Sequence, residues 1–315
     1  MRVRGVATKH LDTITHTTLS MLHALTQRND AMAVFIAGNA PLCLIPRLFS
    51  RTRVVLNVDG LDWKRKKWGG MARGYLRWSE QIAHRVAHVV ITDSRRVQEY
   101  YRREYHVETE FVPYGADIPV RPPGSVLRQF GLEPQHYVLF VGRLVPENCA
   151  HHLVEAWPAI QAQAGSGIKC VIVGDAPYAA SYIASLKARA QGNPAIVFTG
   201  YQFGAAYAEL TSNALLFAET SEVGGTHPAL VEAMSVGNCV IVNDTVENVE
   251  TIGDAGFSYQ GQIGASALAE TVATLLRQPD IIAAYRARAQ AYAQKHYSWD
   301  SVTDQYEQLL IGHSA

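Results

Sequence analysis

Short, almost uninterrupted apolar runs rich in β-branched residues alternate along this chain with longer stretches of helical period. The runs Ala33–Ala37, Arg53–Val58, His88–Thr92, Tyr137–Val141, Ile168–Val173, Ala195–Thr199, Ala214–Ala218 and Cys239–Asn243 read as strands. A strand that is apolar on both faces must be covered on both, so the pattern predicts parallel sheets between helices: an α/β chain with two Rossmann-like, doubly wound domains. Beyond the last run, helical stretches cover about 265–277 and 279–295. Tyr297-Ser-Trp-Asp300 then opens a final helix through Leu310, with Ser298 as its N-cap.

The segment from Pro113 to Gly124 holds four prolines and two glycines, which disfavour helix and central strand alike. An interdomain linker is expected there, giving a first domain over 1–118, a second over 119–296 and a terminal helical segment over 297–315. The first domain supplies fewer strands than the five or six or so of a doubly wound sheet. It therefore reads as incomplete.

Composition narrows the partners. Lys plus Arg (28) equals Asp plus Glu (28), so the global positive field that duplex nucleic acid selects is missing, and no nucleic-acid partner is expected. Cys43, Cys149, Cys170 and Cys239 are widely spaced and form no C-x-x-C pair, which points to a reduced, cytoplasmic protein without structural zinc. His151 and His152 are adjacent on a helix, where side chains diverge by about 100°, so they are not expected to share an ion. The apolar run 31–45 is interrupted by Gly38, Asn39 and Pro41, and no membrane-spanning segment is expected.

The candidate chemistry concentrates in the second half. In Ser221-Glu-Val-Gly-Gly-Thr-His-Pro-Ala-Leu-Val-Glu-Ala-Met234, a glycine-rich turn runs into a helix beginning at Pro228, and unpaired N–H groups and the positive dipole end of such a helix suit a diphosphate. Gly142-Arg143, Gly174-Asp175 and Gly200-Tyr201 each follow a strand, the end at which open α/β sheets bind ligands. Arg143 offers a planar fork for a diphosphate, although an arginine on any βα loop reads the same way. Glu232, one helical turn past Pro228, suits the hydroxyls of a ribose. His227 either contacts a phosphate or sugar oxygen or caps the helix. In the first half, Asp59 and Asp62 suit a sugar or acceptor hydroxyl. Trp63, Lys64, Arg65, Lys66, Lys67 and Trp68 fit an anionic membrane surface or lipid diphosphate, or else a solvated basic turn with its tryptophans in the core.

The set Gly142-Arg143, Gly174-Asp175, Gly200 and Glu222-Val-Gly-Gly-Thr-His-Pro-Ala-Leu-Val-Glu-Ala-Met234 resembles glycosyltransferase family 4, retaining enzymes of the GT-B fold. Asn57-Val-Asp-Gly-Leu-Asp-Trp-Lys-Arg-Lys-Lys-Trp68 and Gly224-Gly-Thr-His-Pro228 are similar to its bacterial rhamnosyltransferase-like branch, which builds cell-surface polysaccharide. The resemblance implies a second domain that binds a nucleoside-diphosphate sugar, dTDP- or UDP-linked, with Arg143 at the diphosphate, Gly225 and Thr226 cradling it, Glu232 on the ribose and Glu222 facing the donor sugar. It implies catalysis by Arg143, Glu222 and Asp59, a glycan or lipid-linked glycan acceptor, peripheral contact with the inner membrane face, no metal or other cofactor, and a last helix crossing back to the first domain.

This chain departs from the family's pattern at several places. Asn148 stands where most relatives carry a diphosphate-binding lysine, and Asp59 where many carry histidine. The family's glutamate spacing counted back from Glu232 lands on Gly224, two positions from Glu222. The opening strand and glycine-rich loop of the family find no match either, so a shortened first domain with impaired transfer is expected. That leaves two rival readings: a nucleotide-sugar-binding remnant without turnover, and a GT-B sugar epimerase using Asp59, Glu222 and His227.

Overall fold

The computed structural model describes residues 12–64, 68–165 and 167–312. Its strands are β1 (Ala31–Phe35), β2 (Arg53–Asn57), β3 (Val89–Thr92), β4 (Glu110–Phe111), β5 (Tyr137–Val141), β6 (Lys169–Val173), β7 (Ile196–Gly200), β8 (Leu216–Glu219), β9 (Cys239–Asn243) and β10 (Phe257–Tyr259). The helices are α1 (Asp12–Thr26), α2 (Leu44–Phe49), α3 (Gly70–Val86), α4 (Arg95–Tyr105), α5 (Ser125–Gln129), α6 (Ala150–Ala164), α7 (Ala180–Arg189), α8 (Gly204–Ser212), α9 (Pro228–Ser235), α10 (Val246–Ile252), α11 (Ala265–Leu276), α12 (Pro279–His296) and α13 (Trp299–Ile311). Two compact units result, one running to Pro113 and resuming at Asp300, the other spanning Tyr114–Trp299.

In the first unit the described strands pair in parallel in the order β1-β2-β3-β4, which is chain order without reversal. Alternate residues of a strand face opposite sides. Val54 and Leu56 of β2 and Val90 of β3 join Val86, Val97 and Tyr101 of the crossover helices in one core. Val55 and Ile91 point the other way and meet Val112 and Val302, with Tyr306, Leu309 and Leu310 packed alongside. That second face is covered by α13, which is further tied down where Arg53 Nε donates to the Leu309 carbonyl (2.8 Å) and Asn57 Nδ2 donates to the Tyr306 hydroxyl (2.6 Å).

The apolar run read as Ala33–Ala37 is shifted two residues toward the N-terminus. Ile36 takes a left-handed φ of 74° and the chain then coils into a 3-10 turn over Ala37–Cys43, so pairing stops at Phe35. α4 starts as a capped helix should, with Ser94 Oγ accepting from the N–H groups of Arg96 and Val97.

The second unit is a six-stranded parallel sheet in the order β10-β9-β8-β5-β6-β7, whose strand order reverses at β5 and β8. Its strands are apolar on both faces and sort their residues by parity. Val138, Phe140, Cys170, Ile172 and Ile241 meet α6, α7 and α11, while Leu139, Val171, Val173, Phe217 and Val240 meet α8, α9 and α12. The backbone from Val112 to Gly124 is irregular. α5 after it is held by Glu209, whose Oε1 accepts from the N–H groups of Gly124 (2.8 Å) and Leu127 (2.9 Å).

Candidate functional site

The carboxyl ends of β5, β6 and β7 are joined through their glycines. Gly142 N–H donates to the Val173 carbonyl (3.0 Å) and Gly174 N–H to the Gly200 carbonyl (2.9 Å). Gly174 has a φ of 135°, and a Cβ there would fall 1.8 Å from the Gly142 carbonyl oxygen. Only glycine allows the two strand ends this approach. Gly200 has a φ of 69° with open space around it, so it is glycine for conformation alone. Asp175 turns its Oδ1 onto the next N–H, that of Ala176 (2.7 Å).

Arg143 is exposed on the loop after β5. Asn148 is buried and its side-chain amide donates to the Arg143 carbonyl (3.0 Å), so it shapes the arginine's loop. The same loop is fastened to the segment opening the glycine-rich turn: Thr220 Oγ1 donates to the Asn148 carbonyl (2.7 Å), and Glu222 N–H donates to the Glu147 carbonyl (3.0 Å). Arg143, Asn148 and Glu222 are thereby held in one framework at the sheet's reversal, the place where ligands of open α/β sheets bind.

Across the turn, Glu222 is exposed while Gly225 and Thr226 are buried. Pro228 is the first residue of α9 and His227 its N-cap, with no side-chain capping bond. The His227 ring lies against Gly224 instead, where an added Cβ would meet Cε1 and Nε2 at 2.5 Å. Among the described residues no backbone carbonyl accepts from the N–H groups of Gly224, Gly225 or Ala229, which leaves donors at the positive end of the helix. Glu232 is half-buried in the first turns of α9. Burial raises its pKa, and the Tyr207 hydroxyl, donating to Oε2 at 2.5 Å, counteracts that by favouring the ionised form.

Four contributors carried no sequence signal. Tyr207 orients Glu232 from α8. Asn243 Nδ2 donates to the Thr220 carbonyl (3.1 Å), Asn248 Nδ2 to the Ser221 carbonyl (3.1 Å), and buried Glu219 accepts from Ser221 N–H (3.0 Å). Buried amides and a carboxylate thus satisfy the backbone leading into the turn. Beside Gly200, exposed Tyr201 stacks on exposed Phe203 with ring centroids 5.6 Å apart.

In the first unit, Asp59 follows β2 with a left-handed φ of 58° and donates its N–H to Asn57 Oδ1 (2.8 Å), the residue that Tyr306 contacts. Asp62 to Lys64 form a 3-10 turn. Trp63 is half-buried beneath Arg77, whose guanidinium carbon is 4.9 Å from the ring centroid, with Lys64 Nζ at 5.8 Å. Arg65, Lys66 and Lys67 lie outside the described residues. Behind this turn, Glu80 is buried, and burial raises its pKa to about 7 against hydrogen bonds from Tyr105 (3.3 Å) and Tyr100 (3.4 Å).

The structure corrects one expectation. Adjacent His151 and His152 do converge, with ring centroids 4.7 Å apart, and one donor atom of each lies within 4.8 Å of the other and of a Cys149 donor. Cys149 sits outside the helix in a left-handed conformation (φ 50°), which turns its side chain back over the first turn of α6.

Comparison with known proteins bears on the fold. Residues 135–278 match the family model described as glycosyl transferases group 1, and residues 45–117 match that of a domain of unknown function, DUF1972. Anabaena Alr3699/HepE, solved with UDP-glucose, superposes with a TM-score of 0.80 at 20% identity, covering 94% of this chain and 82% of that one. Sucrose-phosphate synthase from Thermosynechococcus elongatus gives 0.76 at 20% identity, with coverages of 92% and 75%. A glycosyltransferase from Rickettsia africae gives 0.74 at 13% identity, with coverages of 100% and 85%. The fold is GT-B. No curated protein matches the chain. The group 1 match falls within the second unit of this GT-B chain, and no helix among the described residues is long and apolar enough to cross a membrane.

Proposed function

We propose that this GT-B chain moves a hexose or 6-deoxyhexose, rhamnose being the sugar the branch resemblance favours, from a nucleoside diphosphate to a glycan or lipid-linked glycan acceptor with retention, in cell-surface polysaccharide synthesis. The observation that carries this reading is the pair of bonds fastening the Arg143 loop to the segment that opens the turn before α9, because it ties the loop bearing an exposed arginine to a turn whose N–H groups stay open at a helix N-terminus. A diphosphate held there is a stabilised leaving group, and its departure is the costly event of glycosyl transfer.

Each residue then has a task. Arg143 and the N–H groups of Gly225 and Ala229 take the diphosphate oxygens. Glu232, held at one oxygen by Tyr207, accepts from ribose hydroxyls with the other. The stacked Tyr201–Phe203 pair offers a shelf for the base. Glu222 faces the donor sugar, and Asp59 with Asp62, Trp63, Lys64 and Arg65 serves the acceptor. A departing phosphate oxygen takes the acceptor's proton, so no protein nucleophile is involved. The HepE complexes with UDP and UDP-glucose favour a uridine or thymidine diphosphate.

Calorimetric titration with UDP, dTDP and GDP tests the donor site. One nucleotide should bind selectively, and Arg143→Ala and Glu232→Ala should each weaken it at least tenfold, about 1.4 kcal/mol. Parental affinity in both variants would refute the assignment.

A further inference from the structure

The start of α6 holds a constellation that donor binding does not use. Cys149, His151 and His152 bring three donor atoms to within 4.8 Å of one another, one group of this kind among the described residues. The two rings are fixed in orientation by different elements: His151 Nδ1 lies 2.9 Å from the Tyr182 hydroxyl of α7, and His152 Nδ1 lies 3.0 Å from the Tyr259 hydroxyl of β10. Contacts of that kind hold the imidazoles of metal sites in one tautomer and one plane.

From this geometry we propose that Cys149, His151 and His152 form a site for a thiophilic divalent cation, zinc being the ion that suits them. One thiolate and two imidazoles make a borderline-soft donor set, which selects zinc over magnesium or calcium. Bonds of about 2.0 to 2.3 Å place tetrahedral zinc ligands roughly 3.3 to 3.8 Å apart, so the three donors need close by only about an ångström. Cys149 gives up its thiol proton to solvent as the sulfur–metal bond forms. The positive end of α6 opposes a bare cation but favours a thiolate, which makes Cys149 the decisive ligand.

Glu222, exposed and near enough for its charge to act on the His152 ring, is the carboxylate that can take the fourth position, with water as its alternative. Three protein ligands and one exchangeable position describe an open zinc site. The three-residue group stands apart from the donor-site reading; only the fourth position shares a residue with it, Glu222.

Cobalt(II) titration of the untagged, chelator-stripped full-length chain tests it. One equivalent should produce sulfur-to-cobalt charge-transfer absorption together with the intense visible bands of tetrahedral cobalt, and zinc should bleach both. Cys149→Ser should abolish the charge-transfer band, and His152→Gln should weaken zinc at least tenfold in a competition assay. Circular dichroism without metal verifies that each variant is folded, and if Cys149→Ser is not, His151→Gln takes its place with the same tenfold criterion. A folded parent without the charge-transfer band would overturn the site. So would a band that survives in folded Cys149→Ser, or zinc affinity unchanged in the histidine variants.

Discussion

The two sheets solve the same covering problem in different ways. The sheet of the second unit is closed on both faces by helices from its own contiguous segment, and its strand order reverses in the middle, at β5 and β8. The described sheet of the first unit runs in chain order, is covered on one face by its own crossover helices, and borrows α13 for the other. Among the described strands, only those of the second unit therefore offer, within one stretch of chain, the reversal at which an open α/β sheet makes a crevice. The best-developed candidate site lies there.

Breaking the borrowed cover should have the largest effect. Val302 is 2% exposed against Val55, Ile91 and Val112, so Val302→Asp should destabilise the first unit by about 3 to 5 kcal/mol through an unpaired buried carboxylate. Calorimetry should show one transition moving down while the other stays, and a uniform shift of both would end the idea of separate dependence. In the second unit, Gly174→Ala meets the Gly142 carbonyl and should cost about 3 kcal/mol, with nucleotide binding lost before the fold.

Glu80 sharpens the comparison by pH. Its folded pKa of about 7 lies above the ordinary carboxylate value of 4.5, so the folded first unit binds more protons between those values and loses stability as pH rises through that window. Glu80→Gln removes the slope. The variant should match the parent below the window and exceed it above pH 7 by about 3 kcal/mol, from about 1.4 kcal/mol per pH unit, read from denaturant midpoints. A parental slope in the variant would assign it to other groups. The smallest effect is Gly200→Ala, where space is open but φ is 69°, so only the left-handed cost of about 1 kcal/mol remains.

How far the sequence carried the reading follows from the range of each interaction. β5 and β9 were legible to the residue, since five apolar residues in one and four closed by Asn243 in the other stand between polar or turn-forming neighbours, the signature of a short buried strand. β4 and β10, two and three residues long, were not, since they exist as strands only by pairing with β3 and β9. The glycines at the strand ends announced a crevice because glycine's conformational freedom is local. The bonds that assemble the crevice were hidden, since Tyr207 reaches Glu232 and Asn243 reaches Thr220 across more than twenty residues of chain. Cys149 was hidden for another reason: helical periodicity assumes helical dihedrals, and its left-handed φ brings it to His151 and His152 where the period would not.

The return of α13 to the first unit also sets a schedule. Val112 leaves the ribosome long before Val302, and at about 5 to 20 residues per second the interval is on the order of ten to forty seconds. During that time the second unit can close over its own core, while the face formed by Val55, Ile91 and Val112 waits uncovered. The amino-terminal unit, made first, is therefore the last to be finished, and a nascent chain stalled before Trp299 would present that apolar face to chaperones.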